Sequence, residues 1–146
     1  MLNQDFKEFI KSLNDKHVRY LVVGGYALAF HGHPRYTKDL DIWIELNKTN
    51  ANNIIHALEQ FGFASLNLKE EDFLLANQVI QLGYPPSRID LLTSADGVSF
   101  DDCYSARLSV DIDGVTVCFI DRENLIKNKL ATGRAQDIAD TEKLKQ

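Results

Sequence analysis

The chain is poor in cysteine. Cys103 and Cys118 are the two it has, in no spacing that ligates a metal, so a disulfide-stapled scaffold is excluded and reduced thiols in a cytosolic protein are expected. Long apolar runs are also missing. The longest, around residues 21–30, is too short to cross a bilayer, and no membrane association is expected. The N-terminus, MLNQDFKEF, carries acids early and lacks a signal-peptide pattern, which points to the cytoplasm. A basic excess is absent too. Lys and Arg number 16 against 21 Asp and Glu, giving a formal charge of −5 and a pI near 5.3. That argues against a protein that coats nucleic acid through bulk electrostatics, while leaving room for a local basic patch. Neither internal repeats nor low-complexity tracts occur. The remaining composition, 45% hydrophobic and 25% charged, fits one domain over residues 1–146 with a real core.

Periodicity gives the elements. Asn3 can cap a first helix whose Phe6, Phe9, Ile10 and Leu13 form one apolar face. Residues 18–23 read as a buried strand, and residues 40–45 as a second strand. Thr49 is expected to cap a helix that Gly62 ends. Residues 63–77 carry no firm pattern. Residues 79–82 and 88–92 read as paired strands around the Gly83-Tyr84-Pro85-Pro86 turn. A short helix follows at 100–106. Asp113-Gly114, between two alternating runs, is the strongest hairpin signal in the chain. Asp121 caps a helix over 122–132, Gly133 stops it, and a last helix covers 134–143. This order predicts an α/β (α+β) domain with one mixed sheet flanked by helices.

One stretch joins two chemistries. From Gly24 to Ile44 it reads GGYALAFHGHPRYTKDLDIWI. Gly24-Gly25, directly after an apolar run, offers bare backbone N–H groups at a strand-to-helix turn, a natural seat for phosphate oxygens. Asp39 and Asp41 stand two residues apart on an expected strand, so both share a face with Trp43. Side-by-side carboxylates repel unless a cation lies between them, and hard oxygen donors of this kind suit Mg²⁺ or Mn²⁺.

With about fourteen residues from Gly25 to Asp39, this pattern resembles the DNA polymerase β-like nucleotidyltransferase superfamily. The signature there is a Gly-Gly or Gly-Ser turn, a short helix, then Asp-x-Asp/Glu on a strand. The resemblance implies the nucleotidyltransferase fold and a third carboxylate on a later strand, which Asp90 in Arg88-Ile89-Asp90-Leu91-Leu92 satisfies. It implies two-metal phosphoryl transfer, with Asp39, Asp41 and Asp90 as metal ligands and catalytic residues. Lys129, Arg134, Asp137 and Asp140 are similar to the helical Lys and Arg-x-x-Asp-x-x-Asp pattern of nucleotidyltransferases related to abortive-infection toxins and their minimal relatives. Gly24, Gly25, Thr37, Lys129 and Arg134 are therefore the implied nucleotide-binding residues. The implied partners are an NTP, an acceptor hydroxyl on tRNA or a protein, and a cognate toxin or antitoxin.

Other residues carry less. His31 and His33 read as solvated loop histidines rather than metal ligands, and Trp43 as core rather than a base-stacking platform. Lys127 lies on a different helical face from Lys129 and is not expected to act with it. The competing reading is a non-catalytic nucleotide-binding or interaction module on the same fold. Three intact carboxylates favour the enzyme, because gathering like charges is a cost that a module need not bear.

Overall fold

A computed structural model describes residues 2–33 and 39–146. The chain opens with α1 (Gln4–Asp15), and the Asn3 side chain accepts a hydrogen bond from the Phe6 N–H at 2.8 Å, the expected cap. Then come β1 (Tyr20–Val23), α2 (Gly24–Phe30), β2 (Leu40–Ile44) and α3 (Lys48–Phe61). Two short 3₁₀ turns, Ala64–Leu66 and Glu70–Phe73, fill the stretch without a sequence pattern. The second half holds β3 (Val79–Leu82), β4 (Ile89–Leu92), α4 (Phe100–Ser105), β5 (Leu108–Ile112), β6 (Val115–Phe119), α5 (Arg122–Thr132) and α6 (Ala135–Leu144).

Local chemistry moves three expected boundaries. β1 starts at Tyr20 rather than 18, because His17 adopts φ +60° and the chain is still turning out of α1. α3 is capped by Asn47 rather than Thr49: the Asn47 side chain accepts from the Asn50 N–H at 2.7 Å. α2 begins at Gly24 itself, so the glycine pair expected as a strand-to-helix turn forms the first turn of the helix. The hairpin at Asp113-Gly114 forms as read. Both residues have positive φ, +52° and +86°, the backbone that joins tightly paired strands.

The strands form one mixed six-stranded sheet in the order β3-β4-β2-β1-β6-β5. β2 runs antiparallel to β1 and parallel to β4, and β1 runs parallel to β6. Along β2, Leu40, Ile42 and Ile44 are fully buried. α1 packs on α3, with the Phe9 and Phe61 rings edge-to-face at 5.2 Å. Asp41 and Trp43 point the other way, toward α4 and α5. Trp43 is 3% exposed and meets Phe100 edge-on at 5.2 Å, so it packs as core. This is the mixed α/β architecture expected, a sheet with helices against it.

Candidate active site

Two strands deliver the carboxylates. Asp39 lies just before β2, Asp41 within it, and Asp90 is its neighbour on β4. The parallel register pairs Asp41 with Asp90 directly, so the two sit on adjacent strands, about 4.8 Å apart along the hydrogen-bonding direction. Asp90 is 7% exposed. Burial, and then the negative charges of Asp90 and Asp39, push the Asp41 carboxyl up to about 6; the charges of Arg88 and Lys129 offset this only in part. A carboxylate that is buried beside two others is stabilised in its charged form by nearby positive charge.

Part of that charge is already present. Arg88 precedes β4 by one residue and lies two before Asp90, on the same side of the strand. Its guanidinium forks onto Asp90, donating from Nε to Oδ1 at 3.1 Å and from Nη2 to Oδ2 at 3.2 Å. The same Nε is 3.7 Å from Asp39 Oδ2. Sequence reasoning passed over Arg88, although strand alternation alone places it beside Asp90.

Gly24 borders the trio. Its φ is +68°, a left-handed conformation, and a Cβ built on it would collide with Asp41 Oδ2. Glycine is needed here both for the backbone and for the close approach of Asp41. Gly25, the next residue, is buried in the first turn of α2.

The C-terminal helices supply a second charged group. Gly133, with φ +71°, turns the chain from α5 into α6. This brings Asp137 and Asp140, one turn apart on α6, back to Lys129 on α5. Lys129 Nζ donates to Asp137 Oδ1 at 3.2 Å and Asp140 Oδ2 at 3.0 Å. Thr132 Oγ1 and Arg134 Nε each donate to Asp137 Oδ2 at 2.7 Å. Burial pushes the Asp137 carboxyl up, but the hydrogen bonds from Thr132 and Lys129 and the Lys129 charge outweigh it and hold the group below its usual range. Lys129 is 4% exposed and Asp140 fully buried. The Lys129 ammonium is thus matched by two carboxylates and holds α5 to α6, at the wall of the same cleft. Arg134 keeps a largely exposed side chain.

These groups enclose one cleft. A cavity of about 490 Å³ is lined by Gly24, Asp39, Asp41, Asp90, Lys129 and Arg134, together with Asp96 and Asn128. An adjoining recess of about 290 Å³ adds Gly25 and Gln136. Asp96 and Asn128 were not foreseen. Asn128 Nδ2 donates to the Asp96 carbonyl at 3.0 Å and ties the loop after β4 to α5. A cavity of about 390 Å³ also opens at the far end of β1 and β2, but its carboxylate, Glu45, is paired with Arg19 at 3.6 Å. Thr37 lies outside the described residues. His31 Nε2 donates to the Ile120 carbonyl at 2.9 Å, which fixes its tautomer and turns that nitrogen away from metal binding.

Among the described residues, no group of three or more His, Cys, Asp or Glu side chains is arranged to hold a metal ion. The chemistry of the Asp39, Asp41 and Asp90 donors nevertheless fits a hard divalent cation, and the Asp41 carboxyl is raised by burial and then by the charges of its two neighbours. Arg88 stands across two of the three.

Residues 1–145 match the model of a family described as a nucleotidyltransferase of unknown function (DUF6036). The chain belongs to this family. No curated protein sequence matches it. Among solved structures, it is similar to a candidate nucleotidyltransferase from Thermotoga maritima, with TM-score 0.64 and 15% identity over 94% of this chain and 88% of that one. It is also similar to an antigenic nucleotidyltransferase-like protein from Paracoccidioides brasiliensis, with TM-score 0.56 and 16% identity over 98% and 77%. At these identities the likeness shows the fold, and this DUF6036 chain has the nucleotidyltransferase fold. The family model extends from α1 through α6, so both the carboxylate strands and the Lys129 cluster fall within it.

Proposed function

We propose that this family member is a Mg²⁺- or Mn²⁺-dependent nucleotidyltransferase that moves NMP from an NTP to a hydroxyl on tRNA or a protein. The observation that carries the reading is the convergence of Asp39, Asp41 and Asp90 beside the Gly24-Gly25 turn in one cleft. Asp39, Asp41 and Asp90 would hold the cation. When bound, it supplies Lewis-acid charge that neutralises phosphate oxygens and eases deprotonation of the acceptor. Without a cation, a triphosphate would meet three carboxylates and be repelled.

The protein's own groups then have distinct tasks. Backbone N–H groups at Gly24 and Gly25 receive phosphate oxygens. Arg134, the exposed cation of the recess, meets the triphosphate, while Lys129 holds Asp137 and Asp140 in place. The acceptor oxygen bonds to the α-phosphorus, the bond from that phosphorus to the bridging oxygen breaks, and pyrophosphate leaves. Asp90 receives the hydroxyl proton. In keeping with the resemblance in the C-terminal helices, a toxin or antitoxin role with a cognate partner is part of this proposal, as are one domain over the whole chain and a cytoplasmic location.

A non-catalytic module is the second reading, favoured by one observation: Arg88 already neutralises Asp90. Asp90→Asn separates the two. Its carboxylate is needed as charge leaves the acceptor hydroxyl, a transition-state requirement. The enzyme reading expects Asp90→Asn to abolish transfer while NTP binding stays near wild type. Wild-type transfer rates in Asp90→Asn, in an assay where Asp41→Ala is dead, would sink it. A wild-type protein that transfers to no acceptor would leave the module.

A further inference from the structure

Among the described residues, Arg88 is a basic side chain that forks onto a carboxylate of the trio. Its backbone is fixed: the Leu40 N–H donates to the Arg88 carbonyl at 3.1 Å, stitching the residue to β2 beside Asp39. Its side chain is less confined, with a third of its surface exposed. Both oxygens of Asp90 are engaged by the fork, at 3.1 and 3.2 Å, and the same guanidinium reaches Asp39 at 3.7 Å. The geometry points to Arg88 as the resident counter-cation of the site: its guanidinium and a divalent ion compete for Asp39 and Asp90, so the cleft accepts the ion only as Arg88 swings away.

This inference rests on the reading of the trio as a divalent-cation site. A carboxylate oxygen has few lone-pair directions, and a bidentate arginine occupies one on each oxygen of Asp90. A second cation inserted between Asp39 and Asp90 would stand within a few ångströms of the guanidinium, where like charges repel strongly. Arg88 and the ion therefore exchange. In the ion-free protein Arg88 relieves the repulsion among the carboxylates. In the loaded protein that task passes to the ion, and the guanidinium is released at the rim of the cleft.

Competition has a sign that simple structural support lacks. Removing a supporting residue leaves ion affinity unchanged or lowers it, whereas removing a competitor raises it. Arg88→Gln keeps length and hydrogen bonding and drops the charge. Calorimetric titration with Mn²⁺ alone, on the full chain without nucleotide, should show Arg88→Gln binding roughly tenfold more tightly than wild type. Arg88→Lys, which keeps the charge but loses the fork, should fall between the two. In the wild type, the Arg88 Nε–H resonance should shift saturably as Mg²⁺ is added, a readout that does not depend on any variant folding. Mn²⁺ affinity in folded Arg88→Gln equal to or below wild type, or an Nε–H resonance indifferent to Mg²⁺ at saturation, overturns the exchange and leaves the cation site standing. No Mn²⁺ binding by either folded protein overturns both.

Discussion

Asp41→Asn should make the ion-free protein more stable, and the gain should depend on pH in a defined direction. The Asp41 carboxyl titrates near 6 in the folded chain against 3.8 ordinarily, chiefly because it is buried and then because Asp90 and Asp39 are charged beside it. The folded state thus holds the Asp41 proton over a pH range in which the unfolded state has already released it. Wild-type stability falls as pH rises from about 4 to about 6 and levels off above that. At 1.36 kcal/mol per pH unit, the penalty above pH 6 is about 3 kcal/mol. Asparagine keeps the shape without the charge and removes that penalty. For a chain of this size the gain corresponds to a rise in Tm of roughly 10 °C at pH 8. Melts in EDTA from pH 4 to 8 test it: the difference should be full at pH 8, shrink through pH 6 and vanish near pH 4. Saturating Mn²⁺ should stabilise the wild type and leave the variant unmoved, reversing much of the difference. A variant no more stable than wild type at pH 8, or a gain that does not change with pH, would refute the electrostatic account of the trio.

Three further outcomes follow from the packing. Lys129→Ala removes a buried ammonium shared by Asp137 and Asp140 and should cost about 3–5 kcal/mol in urea melts, while exposed Lys127→Ala should cost under about 0.5 kcal/mol; equal losses would show that the Lys129 cluster does not hold the helices together. Gly24→Ala forces a side chain into a left-handed backbone and onto Asp41, so Mn²⁺ binding should be lost in a chain that still folds, and retained affinity would contradict the close approach. Gly97→Ala, at φ +76°, drives a Cβ into Ala131 and toward the Lys127 carbonyl at 3.3 Å; hydrogen exchange should quicken in the loop after β4 and the second half of α5, and unchanged protection would show that this loop is not pinned there.

Much of this was legible in the residues, for identifiable reasons. Strand alternation put Asp39 and Asp41 on one face, and a parallel neighbour in register made Asp90 the third. Asn3, Asp121 and Gly133 act at helix ends as their side chains or lack of one dictate. The setting of Lys129 was harder. α5 buries one apolar side chain, Leu125, so its periodicity does not say which face packs. A lysine with no visible partner within four residues reads as solvated, yet its partners lie 8 and 11 residues on, across the Gly133 turn. The spacing of Asp137 and Asp140 along one face of α6 was the available clue. Arg88 lies outside the basic residues that the family pattern implies, yet the alternation that placed Asp90 also places the arginine two residues before it. Asn47 outcompetes Thr49 because both can cap, and the side chain that reaches the Asn50 N–H decides.

The central claim is that the trio, Gly24-Gly25 and Arg134 together transfer a nucleotidyl group. The most direct measurement follows purified wild-type protein with α-³²P- and γ-³²P-labelled NTPs, total tRNA and cell lysate, with Mg²⁺ or with EDTA, and identifies what carries label. The account predicts covalent label from the α-position alone, released pyrophosphate, full dependence on the divalent cation, and loss of signal in Asp41→Ala. Label passed from the γ-position, transfer that persists in EDTA, or transfer undiminished in Asp41→Ala would contradict it.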